Sequence, residues 1–268
     1  MIRAAVLGSP ISHSLSPLIH QYAYAILGVE GSYERFEISE ATFPNFIEQA
    51  MDESWTGFSL TMPLKEAAFS SSFPCDERTE RIHSANTLIH NGRTFVATST
   101  DILAFDRLLA QVTFSRVAII GSGGTARAAI GALSNLTDEV TVIQRSDRRN
   151  ELTLKAAGGA KVNFSAMDTR IESFDLVIST TPAGASDQLA ESLLQAHGDG
   201  GGTLIEALYK PSPTELSKTW KKRGGVVFDG LDLLAEQALD QIRLMTSLSF
   251  DYTSMRTALL GELRSTSH

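Results

Sequence analysis

Cysteine is nearly absent: the 268-residue chain holds one, Cys75. No intrachain disulfide can therefore form, and a disulfide-stapled secreted scaffold is excluded. Long apolar runs are missing too. No stretch approaches the roughly 18 residues that cross a bilayer. Residues 1–7 run into Gly8-Ser9-Pro10 too soon to supply the apolar region of a signal peptide. Positive charge is in the minority, with 23 Lys and Arg against 31 Asp and Glu and a formal net charge of −8. That balance argues against a surface built for nucleic acid or another polyanion. There is no internal repeat, low-complexity tract or Pro/Gly-rich linker. What is left is ordinary globular composition, 43% hydrophobic and 20% charged, long enough for one large or two small domains with a core of their own. The expectation is a cytoplasmic globular protein with no nucleic-acid partner and no membrane partner.

Strand and helix signals alternate along the chain. Residues 4–7 read as a buried strand. Ser16 as cap and Pro17 in the first turn open a helix whose apolar stripe is Leu18, Ile19, Tyr22, Ala23, Ile26 and Leu27. A strand over 33–38, a helix over 43–51 and a strand over 57–62 follow. Asn91-Gly92 predicts a hairpin between 87–89 and 94–98. A second series begins at Arg116, with strands over 117–120, 140–143, 176–179, 203–205 and 226–228 and a helix over 126–136. Two helices fill 231–263, broken near 247–252. Such alternation predicts an α/β protein with mostly parallel sheets, divided within a helix near 102–111.

The clearest chemical signal is Gly121-Ser122-Gly123-Gly124-Thr125-Ala126, which fits G-x-G-x-x-G/A directly after a strand and at the start of a helix. Gly121 permits the tight turn, Gly123 lets the backbone approach a pyrophosphate, and Ala126 lets helix pack on strand. A glycine-rich turn can also serve packing alone, but the strand–turn–helix context favours a nucleotide. After the next strand comes Gln144-Arg145-Ser146-Asp147-Arg148-Arg149. An acidic residue at this point would read a ribose 2′-hydroxyl, whereas arginine suits a 2′-phosphate. Asp147 is the contrary residue: it would spoil the site if it pointed inward, but it has two arginines beside it to pair with if it points outward. Elsewhere, Ser14 and Ser16 read in isolation as helix caps, and Lys65, just past a strand end, as surface charge. His13, His83 and Asp76 lack the spacing of metal ligands, so no metal is expected.

Taken together, these segments resemble the shikimate dehydrogenase family over nearly the whole chain. The matching stretches are Gly8-Ser9-Pro10-Ile11-Ser12-His13-Ser14-Leu15-Ser16-Pro17, Leu60-Thr61-Met62-Pro63-Leu64-Lys65, Ala85-Asn86-Thr87-Leu88 and Ser99-Thr100-Asp101. Further on come the Gly121–Gly124 turn, Tyr209-Lys210-Pro211 with Thr214, and Gly230-Leu231 through Leu234 to Gln237. Each is common alone; in this order and spacing they are specific. Three stretches depart from the family pattern. Ser59-Leu60-Thr61 replaces Asn-Val-Thr, Ser99 and Ala104 replace the Asn and Gly of Asn-Thr-Asp-x-x-Gly, and Ser179-Thr180-Thr181-Pro182 replaces Asn-Ala-Thr-Ser. These bear on substrate preference and turnover more than on reaction class.

The resemblance implies an N-terminal α/β substrate domain (1–102 with 230–268), a Rossmann-type NADP-binding domain (103–229), and a C-terminal helical segment returning to the first. It implies NADP-dependent, reversible reduction of 3-dehydroshikimate to shikimate, a step toward the aromatic amino acids. Lys65 and Asp101 would be the catalytic pair. Ser14, Ser16 and Tyr209 would hold the substrate carboxylate, and Thr61, Asn86, Asp101 and Gln237 would hold the ring hydroxyls or orient groups that do. The cofactor would lie on Gly121, Ser122, Gly123, Gly124, Thr125 and Ala126, with Arg145, Ser146, Arg149, Thr180 and Gly230. The rival readings are an NAD-preferring quinate/shikimate dehydrogenase and a non-catalytic NADP-binding regulator. A monomer or a homodimer is expected.

Overall fold

The computed structural model describes residues 1–51, 53–71, 73–196 and 201–266. It divides into two compact units, Met1–Thr100 with Ala235–His268, and Asp101–Leu234.

The first unit is built on a mixed sheet of order β2-β1-β3-β4-β5. β1 (Ile2–Gly8) has β2 (Gly31–Glu37) and β3 (Gly57–Leu60) parallel on its two sides, and β4 (Thr87–His90) and β5 (Phe95–Thr98) complete the sheet antiparallel. Parallel neighbours need a crossover. α1 (Ser16–Leu27) and α2 (Phe43–Met51) provide them. β1 is covered on both faces, which is why it reads as a continuous apolar run. Ala5 and Leu7 pack with Phe43, Phe58 and Phe95 on one side. Ala4 and Val6 pack with Tyr24, Tyr33 and Met245 on the other. The short helices α3 (Leu64–Ala67) and α4 (Glu77–Ile82) follow β3.

The second unit is an all-parallel sheet of order β11-β10-β9-β6-β7-β8. The chain enters through α5 (Thr100–Leu109) and lays β6 (Val117–Ile120), β7 (Glu139–Ile143) and β8 (Lys161–Ser165) outward in one direction. It then returns to the other side of β6 and lays β9 (Leu176–Ser179), β10 (Thr203–Glu206) and β11 (Val226–Phe228) outward in the opposite one. The strand order thus reverses between β6 and β9. In open parallel sheets the ligand crevice lies beyond the carboxyl ends of the strands at this reversal. The remaining crossovers are α6 (Gly124–Leu133), α7 (Asn150–Ala157), α8 (Asp187–Gln195) and α9 (Glu215–Lys222). α10 (Gly230–Thr246) runs from the second unit into the first, and α11 (Tyr252–Thr266) packs along α1.

Several local expectations are corrected. α1 has Leu15, not Ser16, at its N-cap position and no side-chain cap; the Ser14 hydroxyl instead accepts the Ser16 N–H at 3.3 Å. Ile26, expected in the apolar stripe, is 49% exposed, and the buried face runs through Ile19, His20, Ala23 and Tyr24. β3 stops at Leu60 because the chain turns at Thr61, whose carbonyl accepts the Leu64 N–H to start α3. The hairpin is present, but its central residues are Gly92 and Arg93: Asn91 N–H donates to Thr94 O while the Asn91 side chain accepts the Arg93 and Thr94 N–H groups.

His20 on α1 is fully buried, stacked at 4.0 Å on the Tyr33 ring. Burial pushes its pKa down from 6.5 to about 3, against the opposing hydrogen bond with Gln241. Between those values the unfolded chain binds a proton that the folded one does not. Stability is therefore lost as pH falls through this window, at up to about 1.4 kcal/mol per pH unit from this one group. Denaturant titrations between pH 7 and 4 should show that slope, and His20→Gln should remove its share. An unchanged slope in the variant would contradict the assignment.

Candidate active site

In the second unit the candidate site is built at the carboxyl ends of β6 and β9. Gly121 follows β6 at φ 110°, a backbone that suits glycine alone. A Cβ there would stand 2.6 Å from Thr180 Oγ1. Thr180, just past β9, donates its N–H and its hydroxyl to Ile120 O at 3.0 and 2.9 Å. The two loops are thereby laced together at the reversal of strand order. Gly123 is the N-cap of α6; it brings no capping side chain, and nothing lies within 4 Å of where its Cβ would be. An open helix N-terminus, with its outward N–H groups and positive dipole end, is a cradle for phosphate. Ser122, Gly124 and Thr125 are half-buried around it, and Ala126 is fully buried against the sheet. Arg127 is also fully buried, and its guanidinium donates to Ser122 O at 3.2 Å. In the sequence it shows as a lone arginine in the alanine-rich run of α6.

Past β7 the chain exposes Arg145, Ser146, Asp147, Arg148 and Arg149. Ser146 Oγ accepts the Arg148 N–H at 3.3 Å, which tightens the turn. Asp147 is exposed in the same loop. Gln144, at the strand end, is held by its amide to Asn150 and places no carboxylate there.

After β10 the loop bearing Tyr209 is clipped at both ends by one buried carboxylate. Glu206 accepts the Leu208 N–H at 3.2 Å and the Thr214 hydroxyl at 3.0 Å. Burial pushes its pKa up, with these hydrogen bonds opposing. Thr214 in turn caps α9 through the Ser217 N–H. Gly230 opens α10 so close to this loop that a Cβ would come within 2.5 Å of the Leu208 and Tyr209 backbone. Tyr209 itself is half-buried. Asp101, the second residue of α5, is buried.

In the first unit, Ser14 and Ser16 are both buried at the start of α1. Thr61 is half-buried and anchored by its N–H on Leu7 O at 3.0 Å. Lys65 sits half-buried on α3, and its carbonyl accepts the Ala85 N–H at 2.9 Å, which brings that helix beside Asn86. Asn86 is 3% exposed and gathers its neighbours: Oδ1 accepts the Thr100 N–H at 2.7 Å, and Nδ2 donates to Gln237 Oε1 at 3.3 Å. Ser99 donates its N–H to Thr79 Oγ1 at 3.0 Å. Thr79 is itself bonded to Asp76, the cap of α4. Burial disfavours the Asp76 charge, but hydrogen bonds from Thr79 and Thr98 outweigh it and hold the carboxyl below the usual range. The segment leading into Asp101 is thus pinned through a charged cap. Among the described residues no cluster of three or more His, Cys, Asp or Glu could hold a metal ion, and no helix is long and apolar enough to cross a membrane.

Comparison with known proteins adds relatives along the full length. Residues 6–88 match the family model described as the shikimate dehydrogenase substrate binding domain, and residues 104–193 match that of shikimate / quinate 5-dehydrogenase. The shikimate dehydrogenase of Mycobacterium tuberculosis is 32% identical, with a TM-score of 0.86 over 97% of this chain and 100% of that one. The shikimate 5-dehydrogenase of Thermus thermophilus, solved with NADP(H) and shikimate, is 27% identical, with a TM-score of 0.82 over 98% of this chain and 100% of that one. A curated relative from Staphylococcus epidermidis, shikimate dehydrogenase (NADP(+)), is 26% identical over 270 residues, covering 98% of each chain.

Proposed function

The chain belongs to the shikimate dehydrogenase family, and on that premise we propose that it is an NADP-dependent shikimate dehydrogenase, interconverting 3-dehydroshikimate and shikimate. The observation that carries the cofactor is the open N-cap at Gly123, at the reversal of strand order, with Arg145 and Arg149 past β7 and no carboxylate at Gln144. Gly121 to Ala126 would hold the pyrophosphate, Arg145, Ser146 and Arg149 the 2′-phosphate, and Thr180 and Gly230 the inner end. When bound, this cofactor supplies the hydride in reduction and takes it in oxidation.

The protein's own part is position and proton transfer. The Lys65 ammonium donates a proton to the ketone oxygen as it becomes an alkoxide, and the neutral amine takes that proton back in the reverse direction. Asp101 orients Lys65 or the reacting hydroxyl. Retention of both residues speaks against a regulator that has lost turnover. Ser14, Ser16 and Tyr209 hold the substrate carboxylate through hydroxyl donors. One fact supports Ser14: its hydroxyl only accepts from the Ser16 N–H, so its own proton is left to donate. The Ser16 hydroxyl, which does not cap α1, hydrogen-bonds Tyr33. Thr61, Asn86 and Gln237 hold the ring hydroxyls or orient the groups that do. We read the protein as cytoplasmic and as a monomer or a homodimer.

Hydrogen bonds from neutral donors to an anion contribute about 1.5–3 kcal/mol each. Ser14→Ala should therefore raise the KM for shikimate by roughly ten- to hundred-fold, at 1.4 kcal/mol per decade, with the KM for NADP little changed. Steady-state kinetics of Ser14→Ala and Tyr209→Phe test the assignment. If neither variant moves the KM for shikimate, the carboxylate binds elsewhere.

A further inference from the structure

Beneath Asn86 lies a buried polar network that the residues assigned so far do not explain. Its hub is Gln241, 1% exposed, one helical turn beyond Gln237 on α10. Gln241 Nε2 donates to Asn86 O at 3.2 Å and to Thr87 Oγ1 at 2.9 Å. Gln241 Oε1 accepts from Ser59 Oγ at 2.9 Å and faces His20 Nε2 at 3.3 Å. Ser59 in turn accepts the Tyr33 hydroxyl. Ser59 is one of the departures from the family pattern, and here it links Tyr33 to Gln241.

The direction of every bond follows from the first. A backbone carbonyl only accepts, so the amide nitrogen of Gln241 must face Asn86 O, and its oxygen must face Ser59 and His20. Thr87, fully buried, accepts from that nitrogen, so its own proton goes to Asn86 Oδ1 at 3.1 Å. The Thr100 N–H reaches the same oxygen. Asn86 Nδ2 is thereby turned toward Thr100 Oγ1 and Gln237 Oε1, at 2.9 and 3.3 Å. The two glutamines of α10 grip Asn86 at both ends, Gln237 at its side chain and Gln241 at its backbone.

We propose that Gln241 and Thr87 are positioning residues that fix Asn86, and through it Gln237, in the one orientation that reads the ring hydroxyls of the substrate. This rests on the functional reading above and adds to it two residues that touch no substrate. Neither is exposed, and an unsatisfied amide or hydroxyl at this depth would be costly, so the network holds a single arrangement.

The test compares kcat/KM for shikimate with that for an analogue lacking the ring hydroxyl next to the reacting carbon. Turnover of shikimate by the unmodified protein tests the functional reading by itself; the ratio between the two substrates tests the positioning. Thr87→Val keeps the shape and removes the hydroxyl. It should lower kcat/KM for shikimate by about ten- to hundred-fold, the scale of a small misplacement, with less effect on the analogue and none on the KM for NADP. Thr87→Ser should restore the ratio. Should Thr87→Val fail to fold, Gln241→Met is expected to show the same loss of discrimination. Equal losses for both substrates, or a serine variant no better than valine, would overturn the proposal.

Discussion

Lys65→Ala is expected to turn over shikimate about 10²–10⁴-fold more slowly than the unmodified protein, the usual contribution of a positioned acid or base. The chemistry requires a group that holds a proton while the ketone is reduced and lacks one while the alcohol is oxidised. Lysine can exist in both forms. Arginine cannot lose its proton under these conditions, so Lys65→Arg should be nearly as impaired in oxidation as the alanine variant despite its charge. Cofactor binding should survive, because the loops at Gly123 and Arg145 are built within the second unit, from β6, β7 and α6. Steady-state kcat together with NADP binding by fluorescence titration separates the two effects. Near-normal kcat in Lys65→Ala would sink the catalytic assignment.

Arg145→Ala should weaken NADP binding by roughly ten- to hundred-fold, the loss of one charge-assisted contact of about 1.5–3 kcal/mol. A phosphate monoester carries about −1.5 to −2 charges at pH 7. Guanidinium forks suit it in geometry as well as sign. NAD has only a hydroxyl at that position and should lose less. Because Arg145 and Arg149 are exposed, salt should screen the contact, and the preference for NADP should shrink as ionic strength rises. Asp147 places an opposing charge in the same exposed loop, so Asp147→Asn should strengthen the preference. Titrations of both cofactors at low and high salt, in the unmodified protein and in Arg145→Ala, provide the measurement. An equal loss for NAD and NADP would show that the arginine serves the adenine or the fold rather than the phosphate.

What the sequence made legible depended on how local the signal was. The turn at Gly121–Ala126 was visible because a buried strand, two spaced glycines and a helix start fall within ten residues, and φ 110° at Gly121 is the backbone such a turn needs. The break between α10 and α11 showed as an interrupted helical period. By contrast, β8 was missed: Lys161-Val-Asn-Phe-Ser is an edge strand with one exposed and four half-buried residues, so it has no clean alternation. The polar helix α9, with Lys218, Lys221 and Lys222 outward, hid its buried Leu216 and Trp220 in the same way. The cap at α1 was misread because Ser14 and Ser16 carry the same hydroxyl, and only the backbone shows which one accepts an N–H. The support beneath Asn86 was invisible for a different reason. Thr87 and Gln241 lie 154 positions apart, and nothing in either residue's own neighbourhood points to the other.

The central claim is the reaction itself, and NADPH formation by the unmodified protein supplied with shikimate and NADP tests it most directly. Shikimate with NADP should give the highest kcat/KM of the four pairings of shikimate or quinate with NADP or NAD, by about tenfold or more, the equivalent of one charge-assisted contact. Equal or better efficiency with NAD, or with quinate, would contradict the account and favour a quinate-type dehydrogenase on the same fold.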